Sequence, residues 1–400
     1  MIGLDAPIEL VAYDGSRAGK PDAPVRLDLR SPLALSYLAS APGELGMARA
    51  YISGTLDVTG DMYTMLASFA DLEFDQGRSG LGLDLMVRLA AARLWWPARR
   101  PPEEARLQGR RHSKARDASA ISHHYDVSNR FYEWVLGPSM AYTCAVYRSA
   151  GDTLEDAQFE KFDLVARKLA LRPGMRLLDV GCGWGGMVMH AAKHYGVQAL
   201  GVTLSRNQAQ WAQKAIAEAG LGDLAEVRHG DYRDIEESGF DAVSSIGLTE
   251  HIGAKNLGGY FDSLYDKALP GARLLNHCIT RPDNSVQPRA GEFISRYVFP
   301  DGELESPGRI ISAMHDAGFE VRHEENLREH YALTLAAWSA NLDANWTAAV
   351  REVGAARARV WRLYMAGSRL GFDRNTVQLH QVLGVRLDGT RSHMPLRADW

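Results

Sequence analysis

One stretch constrains this chain more than any other. An apolar run, Met175-Arg176-Leu177-Leu178-Asp179-Val180, meets the turn Gly181-Cys182-Gly183-Trp184-Gly185-Gly186 and then a helical pattern at Met187, Val188, Ala191 and Ala192. That is a buried strand feeding a helix through a loop whose backbone passes close to a ligand. The alternation continues downstream, with strands expected near 176–180, 199–204, 225–229, 240–246 and 272–279 and helices near 185–195, 205–219 and 255–268. A last strand near 377–386 would close the sheet. Spacing of this kind predicts a parallel sheet covered on both faces, an α/β doubly wound fold, with ligands at the carboxyl ends of the strands.

The glycines alone say little. Gly181, Gly183 and Gly186 satisfy a dinucleotide spacing, which is a weak signal by itself. A nicotinamide enzyme places an acid about 20 residues after the first glycine, to hold the ribose. No Asp or Glu lies between Asp179 and Glu218, so that cofactor is disfavoured. The acid instead precedes the glycines, and Asp179-Val180-Gly181-Cys182-Gly183 resembles the S-adenosylmethionine loop of class I methyltransferases. By that resemblance Asp179 faces the cationic amino-acid end of the cofactor, and an ordinary tight turn is the weaker reading. The other strand ends carry polar clusters. Thr203-Leu204-Ser205 with Gln208 falls where ribose hydroxyls would lie, and Gly230-Asp231-Tyr232 puts an acid and a ring where adenine would stack. Glu250 follows the fourth strand, and His277 lies at the end of the fifth.

Four hundred residues suit two domains. A net charge of −4 and an ordinary composition give no global sign of nucleic-acid binding. The three cysteines, Cys144, Cys182 and Cys278, have no paired spacing, so neither a disulfide framework nor a metal site is expected and the thiols read as reduced. No apolar run reaches about 18 residues, and the N-terminus lacks a leader pattern. A cytoplasmic protein in peripheral contact with a membrane is the expectation. Residues 1–86 read as a small α+β domain, either a packing or dimerisation module or one that presents a lipid substrate. Between Arg88 and Arg116, within the linker 87–120, nine basic residues stand against Glu103 and Glu104, with Trp95 and Trp96 among them. Rings flanked by arginines suit an anionic membrane surface, while a solvated linker is the plain alternative and no nucleic-acid recognition fold accompanies the patch. The cluster from Ser122 to Tyr147 reads as a cap over the cofactor, and Glu160 to Leu171 as an amphipathic helix. Phe293 to Pro300 fits a wall for a greasy substrate, and core packing explains it nearly as well. The catalytic domain spans 121–390, with further helices over 324–366, and the tail 391–400 reads as frayed.

Together these segments resemble the cyclopropane-fatty-acyl-phospholipid synthase family, which includes the mycolic acid cyclopropane synthases. The matching pieces are His124-Tyr125-Asp126 with Asn129, Tyr142-Thr143-Cys144-Ala145, the loop Leu178 to Gly186, Gly201 to Ser205, Asp231-Tyr232-Arg233-Asp234, Glu250-His251-Ile252-Gly253, and Tyr297 to Pro300. The resemblance covers about Ser122 to Arg386. It implies a seven-stranded class I methyltransferase sheet and an S-adenosylmethionine site at Tyr125, Tyr142, Thr143, Asp179, Gly181, Gly183, Trp184, Gly185, Thr203, Leu204, Gln208, Asp231 and Tyr232. It implies a reaction in which a cis double bond of a phospholipid acyl chain takes the sulfonium methyl, leaving a carbocation that loses a proton and closes a ring. It also implies a bicarbonate ion as base, cradled by Cys144, Glu250, His277, Tyr331 and the backbone at Ile279, and a homodimer. Two departures stand out, Thr143 where the family carries Ser and Thr249 where Phe or Cys is common. The second is expected to alter the slot beside the base, so 10-methylene (methyl-branched) products are the alternative. A small-molecule N- or C-methyltransferase on the same fold is another.

Overall fold

The computed structural model describes residues 7–41, 43–71, 98–105, 112–114, 116–117, 128–149, 151–284 and 291–400. The expected positions Trp95, Trp96 and Tyr125, and most of the basic linker, lie outside the described residues. The chain forms two compact units.

The smaller unit joins Met1–Arg106 to Gly291–Pro300 and Leu342–Leu370. Its strands β1 (Ile8–Ala12), β2 (Arg17–Gly19), β3 (Val25–Leu29) and β4 (Leu56–Thr59) lie in the order β2-β1-β3-β4, with β1 and β3 parallel. Alternation in β3 sends Val25, Leu27 and Leu29 inward, onto Tyr37, Tyr51 and Met62 of the helices Leu33–Ser40, Glu44–Ile52 and Met62–Asp71. Sequence reading did not bring the two later segments here. Phe293 and Tyr297, expected to wall a lipid slot, are instead buried within this unit, where the Tyr297 hydroxyl donates to Glu104 at 3.4 Å. Glu104 also takes a forked bond from Arg49, at 3.1 and 2.9 Å, with both side chains buried. A charge taken out of water is tolerated only with such full pairing, so Glu104 and Arg49 hold each other in place.

The larger unit comprises Leu107–Ala290, Asp301–Asn341 and Gly371–Trp400. Its strands are β5 (Arg176–Val180), β6 (Gln198–Thr203), β7 (Ala225–His229), β8 (Phe240–Ile246), β9 (Ala268–Thr280), β10 (Glu320–Asn326) and β11 (Gln378–Val385). They form one seven-stranded sheet in the order β10-β11-β9-β8-β5-β6-β7, in which β7, β6, β5, β8 and β9 are parallel and β11 is antiparallel to both neighbours. The α/β doubly wound expectation holds. Leu177 enters the core on one face and Leu178 with Val180 the core on the other, the two-residue period of a strand buried on both sides. Chain order reverses between β5 and β8, and the crevice at their carboxyl ends is where such sheets bind ligands. The charged strand β10 replaces a helix start expected at 324. Residues 391–400 are not frayed throughout: Met394 and Trp400 pack on the core, and the Trp400 ring meets His323 edge-on at 5.3 Å.

Candidate active site

A cavity opens at that reversal point. Its wall brings together Tyr142, Thr143, Asp179, Gly181, Gly183 and Trp184 with Thr203, Leu204, Gln208 and Tyr232 from the strand ends beyond, so ten of the expected cofactor residues share one lining. Asp179 and Ser244 are register partners on β5 and β8, and the Ser244 hydroxyl donates to Asp179 Oδ1 at 2.6 Å. Burial pushes the Asp179 carboxyl up to about 7, against that hydrogen bond and the Lys161 charge. Thr203 donates to Gln208 Oε1 at 2.7 Å, so its hydroxyl is engaged inside the protein while the Gln208 amide lines the cavity. Tyr142 sits between Trp338 and Tyr132, at 5.3 and 5.9 Å, and Tyr132 in turn meets Trp184 at 4.7 Å. Of these rings Tyr142 and Trp184 line the cavity, and Tyr132 and Trp338 pack behind them.

Two expected residues stand elsewhere. The Asp231 carboxylate accepts from the Arg233 backbone at 2.9 Å and its Nε at 2.8 Å. Burial opposes its charge, yet the bonds from Arg233 hold it below the usual carboxylate range. Asp231 thus serves the turn, and its neighbour Tyr232 faces the cavity. Gly185 precedes the helix Gly186–Tyr195, and a Cβ there would lie 3.2 Å from both Ala212 and Val227; its smallness serves packing. Gly181 has φ +75°, a conformation L side chains rarely adopt.

A second close approach lies at Gly201, the β6 partner of Asp179. A Cβ there would fall 2.7 Å from Val188 Cγ2 and 2.8 Å from Cys182 Sγ. Overpacking of this kind costs about 1–3 kcal/mol. Gly201→Ala is therefore expected to lower the urea midpoint accordingly and weaken cofactor binding, because Cys182 belongs to the loop. Unchanged denaturation and titration curves would refute this account of Gly201.

Sequence reading missed Lys161. It lies on the helix Leu154–Lys168, which starts six residues before the expected helix and is capped by Thr153. Its buried stripe includes Leu154, Ala157, Lys161, Val165 and Lys168. Lys161 is 1% exposed and lines the cavity, donating to Thr143 Oγ1 at 2.9 Å with its ammonium 3.7 Å over the Phe162 ring. Burial pulls the ammonium down to about 7, opposed by Cys144 and Asp179. Two lysines at i and i+7 on an apolar stripe were the available signal.

The expected base residues Cys144, Glu250, His277, Ile279 and Tyr331 lie outside that lining. The Ile279 N–H donates to Glu250 Oε1 at 2.7 Å, so the backbone at Ile279 is spent on orienting Glu250. Among the described residues, Glu250 Oε2 and His277 Nε2 are buried with no hydrogen-bond partner. Burial raises Glu250 to about 7, against the Ile279 bond. It drives His277 well below its ordinary value, with Lys161 and Lys168 adding to the effect, so the imidazole is neutral. The segment carrying Cys144 is stitched to the helix Arg328–Ala344 by Ala145 N–H to Thr334 and Tyr147 N–H to His330, both at 3.0 Å. Tyr331 lies between those two contacts, its ring 4.5 Å from Phe372. Cys144 is fully buried, which pushes its thiol far up and keeps it protonated. Thr249 stands in the turn after β8, next to Glu250, and its hydroxyl donates to Asn276 Oδ1 of β9 at 2.6 Å. Orphaned buried polar atoms cost about 1–3 kcal/mol each. Glu250 Oε2 and His277 Nε2, buried without partners among the described residues, are the kind of groups that a small hydrogen-bonding anion such as bicarbonate satisfies.

The family model for mycolic acid cyclopropane synthetase matches residues 112–382. A probable fatty acid methyltransferase of Mycobacterium tuberculosis is 55% identical over 98% of this chain and 95% of its own length. One of Pseudomonas putida is 37% identical over 96% and 93%. Among solved structures, the cyclopropane synthase MmaA2 from Mycobacterium tuberculosis superposes with a TM-score of 0.63 at 30% identity, covering 67% of this chain and 98% of that one. The mycolic acid cyclopropane synthase CmaA1, complexed with SAH and CTAB, gives 0.63 at 31% identity with the same coverage.

Proposed function

The chain belongs to the mycolic acid cyclopropane synthetase family, and on that premise we propose that it builds cyclopropane rings into unsaturated acyl chains of membrane phospholipids. It is an S-adenosylmethionine-dependent methyltransferase of lipid acyl chains. The observation that carries the finer reading is the pair of orphaned atoms, Glu250 Oε2 and His277 Nε2. When bound, S-adenosylmethionine supplies an electrophilic methyl, and an alkene that takes it holds one proton more than the cyclopropane.

The residues divide the work. Asp179, braced by Ser244, would hold the ammonium end of the cofactor, and Gln208 would offer its amide to the ribose. Tyr142 and Trp184, with Tyr132 and Trp338 behind them, keep water from a cation that water would quench. Glu250 Oε2, His277 Nε2, the Tyr331 hydroxyl and the Cys144 thiol would hold bicarbonate, a base suited to taking that one proton. Glu250, with its carboxyl raised to about 7, is matched to share a proton near neutrality. Ile279 acts through Glu250, by the bond from its N–H.

No helix among the described residues is long and apolar enough to cross a membrane, so reaching a phospholipid requires docking at the surface. Of the basic residues from 88 to 116, Lys114 pairs with Asp234 and Arg116 with Asp301. Dimerisation through residues 1–86 completes the reading.

The test uses purified protein, S-adenosylmethionine and oleoyl-phospholipid vesicles, with mass spectrometry of the released acyl chains. Expected is a gain of one CH2 that takes up no hydrogen on mild hydrogenation. A product that takes up two hydrogens would be a methylene branch and would overturn ring closure. No mass gain with the cofactor still bound would point to a small-molecule substrate.

A further inference from the structure

His277 has two ring nitrogens, and which of them carries the proton decides what it offers to the site. The answer comes from across the sheet. Gln381 on β11 is the register partner of His277 on β9, and its Nε2 lies 3.2 Å from His277 Nδ1. On its other side Gln381 Oε1 accepts from Lys168 Nζ at 2.8 Å. Lys168 pairs in turn with Glu325 of β10, whose side chain is 38% exposed. Gln381 and Lys168 are fully buried and His277 nearly so. The row runs Glu325, Lys168, Gln381, His277 and ends on the orphaned Nε2.

The direction of every bond in this row follows from chemistry. Lysine only donates, so the atom of Gln381 facing it is the carbonyl oxygen. The amide NH2 then faces His277 Nδ1, which must accept. A neutral imidazole that accepts at Nδ1 carries its hydrogen on Nε2. The opposite tautomer would need the amide turned over, setting its NH2 against the Lys168 ammonium in a buried site, a donor-against-donor contact that leaves two buried groups unsatisfied.

We propose that Gln381, anchored by Lys168, is a positioning residue that locks His277 as its Nε2–H tautomer, so that the ring presents a donor to an anion in the site. Glu250 Oε2 is an acceptor, and an anion such as bicarbonate has one proton to give and oxygens to receive. Such an anion can give its proton to the one and take a hydrogen bond from the other, whereas an unlocked His277 would also populate the tautomer that presents a lone pair. Only the kinetic consequence rests on the anion-binding reading of the site; the tautomer does not.

The experiment labels histidine with 15N and reads the ring nitrogens by long-range 1H–15N correlation, with His277→Asn identifying the signal. Wild type is expected to show Nε2 protonated and Nδ1 bare. In Gln381→Glu the carboxylate accepts from both Lys168 and the ring, so the pattern should invert to Nδ1–H. Gln381→Met, close in size and unable to choose, should give a mixture and guards against a variant that fails to fold. Titration with S-adenosylhomocysteine should be unchanged in both, while the KM for bicarbonate rises about 10- to 100-fold, the usual scale for loss of an orienting partner. A wild-type Nδ1–H ring or a pattern unmoved in both variants would overturn the lock, and an inverted ring with an unchanged KM would overturn its service to an anion. Should wild-type turnover prove indifferent to bicarbonate, the anion reading falls, and the 15N pattern alone still decides the tautomer.

Discussion

Glu250→Gln is expected to bind the cofactor normally and to turn over about 10²- to 10⁴-fold more slowly, the range lost with a positioned proton-transfer group. The substitution is nearly isosteric, and the Gln oxygen still accepts from the Ile279 N–H that now holds Oε1 at 2.7 Å. What changes is the other atom. Oε2 is a buried acceptor with no partner among the described residues, and an amide NH2 in its place can neither accept a proton nor receive a hydrogen bond from an anion. Steady-state rates on oleoyl-phospholipid vesicles, with a parallel S-adenosylhomocysteine titration, separate the two effects. A rate within tenfold of wild type would remove Glu250 from the proton-handling role. A lost titration would instead mean that the variant damages the fold.

Much of this site was legible in the sequence, for a physical reason. The strand and turn from Met175 to Gly186 carry their own punctuation: a two-face apolar strand, an acid at its end, and glycines where the backbone turns. The strand ends near Thr203, Tyr232 and Glu250 follow once the alternation is recognised, because a doubly wound sheet gathers those ends on one edge. What stayed hidden depends on pairing between distant segments. Asp179 shares its strand face with Leu177, the side on which the helix Leu154–Lys168 packs, and that is how Lys161 reaches the cavity. Nothing local distinguishes Lys161 from a solvated lysine except its phase on the helix. Gln381 is likewise an ordinary strand residue until β11 is set antiparallel to β9 in the observed register. The strand β10, with the sequence EVRHEEN, reads as polar and helical, since an edge strand has only one neighbour to satisfy and can carry charge on its open side. Segments 291–300 and 342–370 join the smaller unit through contacts that no window along the chain contains.

Asp179 gives the second large effect, and it is one of pH. Its carboxyl is raised to about 7 because burial penalises the charge more than Ser244 and Lys161 favour it. The cofactor's ammonium needs the ionised form. Affinity for S-adenosylhomocysteine is therefore expected to be flat above pH 7 and to weaken by about tenfold per unit below it, the limit for one linked proton. Asp179→Asn should abolish that slope together with most of the affinity. Lys161 titrates in the same range, so the midpoint belongs to the pair. Lys161→Met removes a cation that favours the carboxylate, and its midpoint should move to higher pH. Stability runs the other way. With the folded value above the unfolded one, the folded state keeps a proton that the unfolded chain has lost between about pH 4 and 7, so the free protein loses stability as pH rises through that window. At about 1.4 kcal/mol per unit of separation, the ceiling on the cost is about 4 kcal/mol. Asp179→Asn should accordingly unfold at higher urea than wild type at pH 8 without ligand, while the two converge near pH 4. If instead the wild-type protein is the more stable at pH 8, the buried carboxylate is not held at a cost.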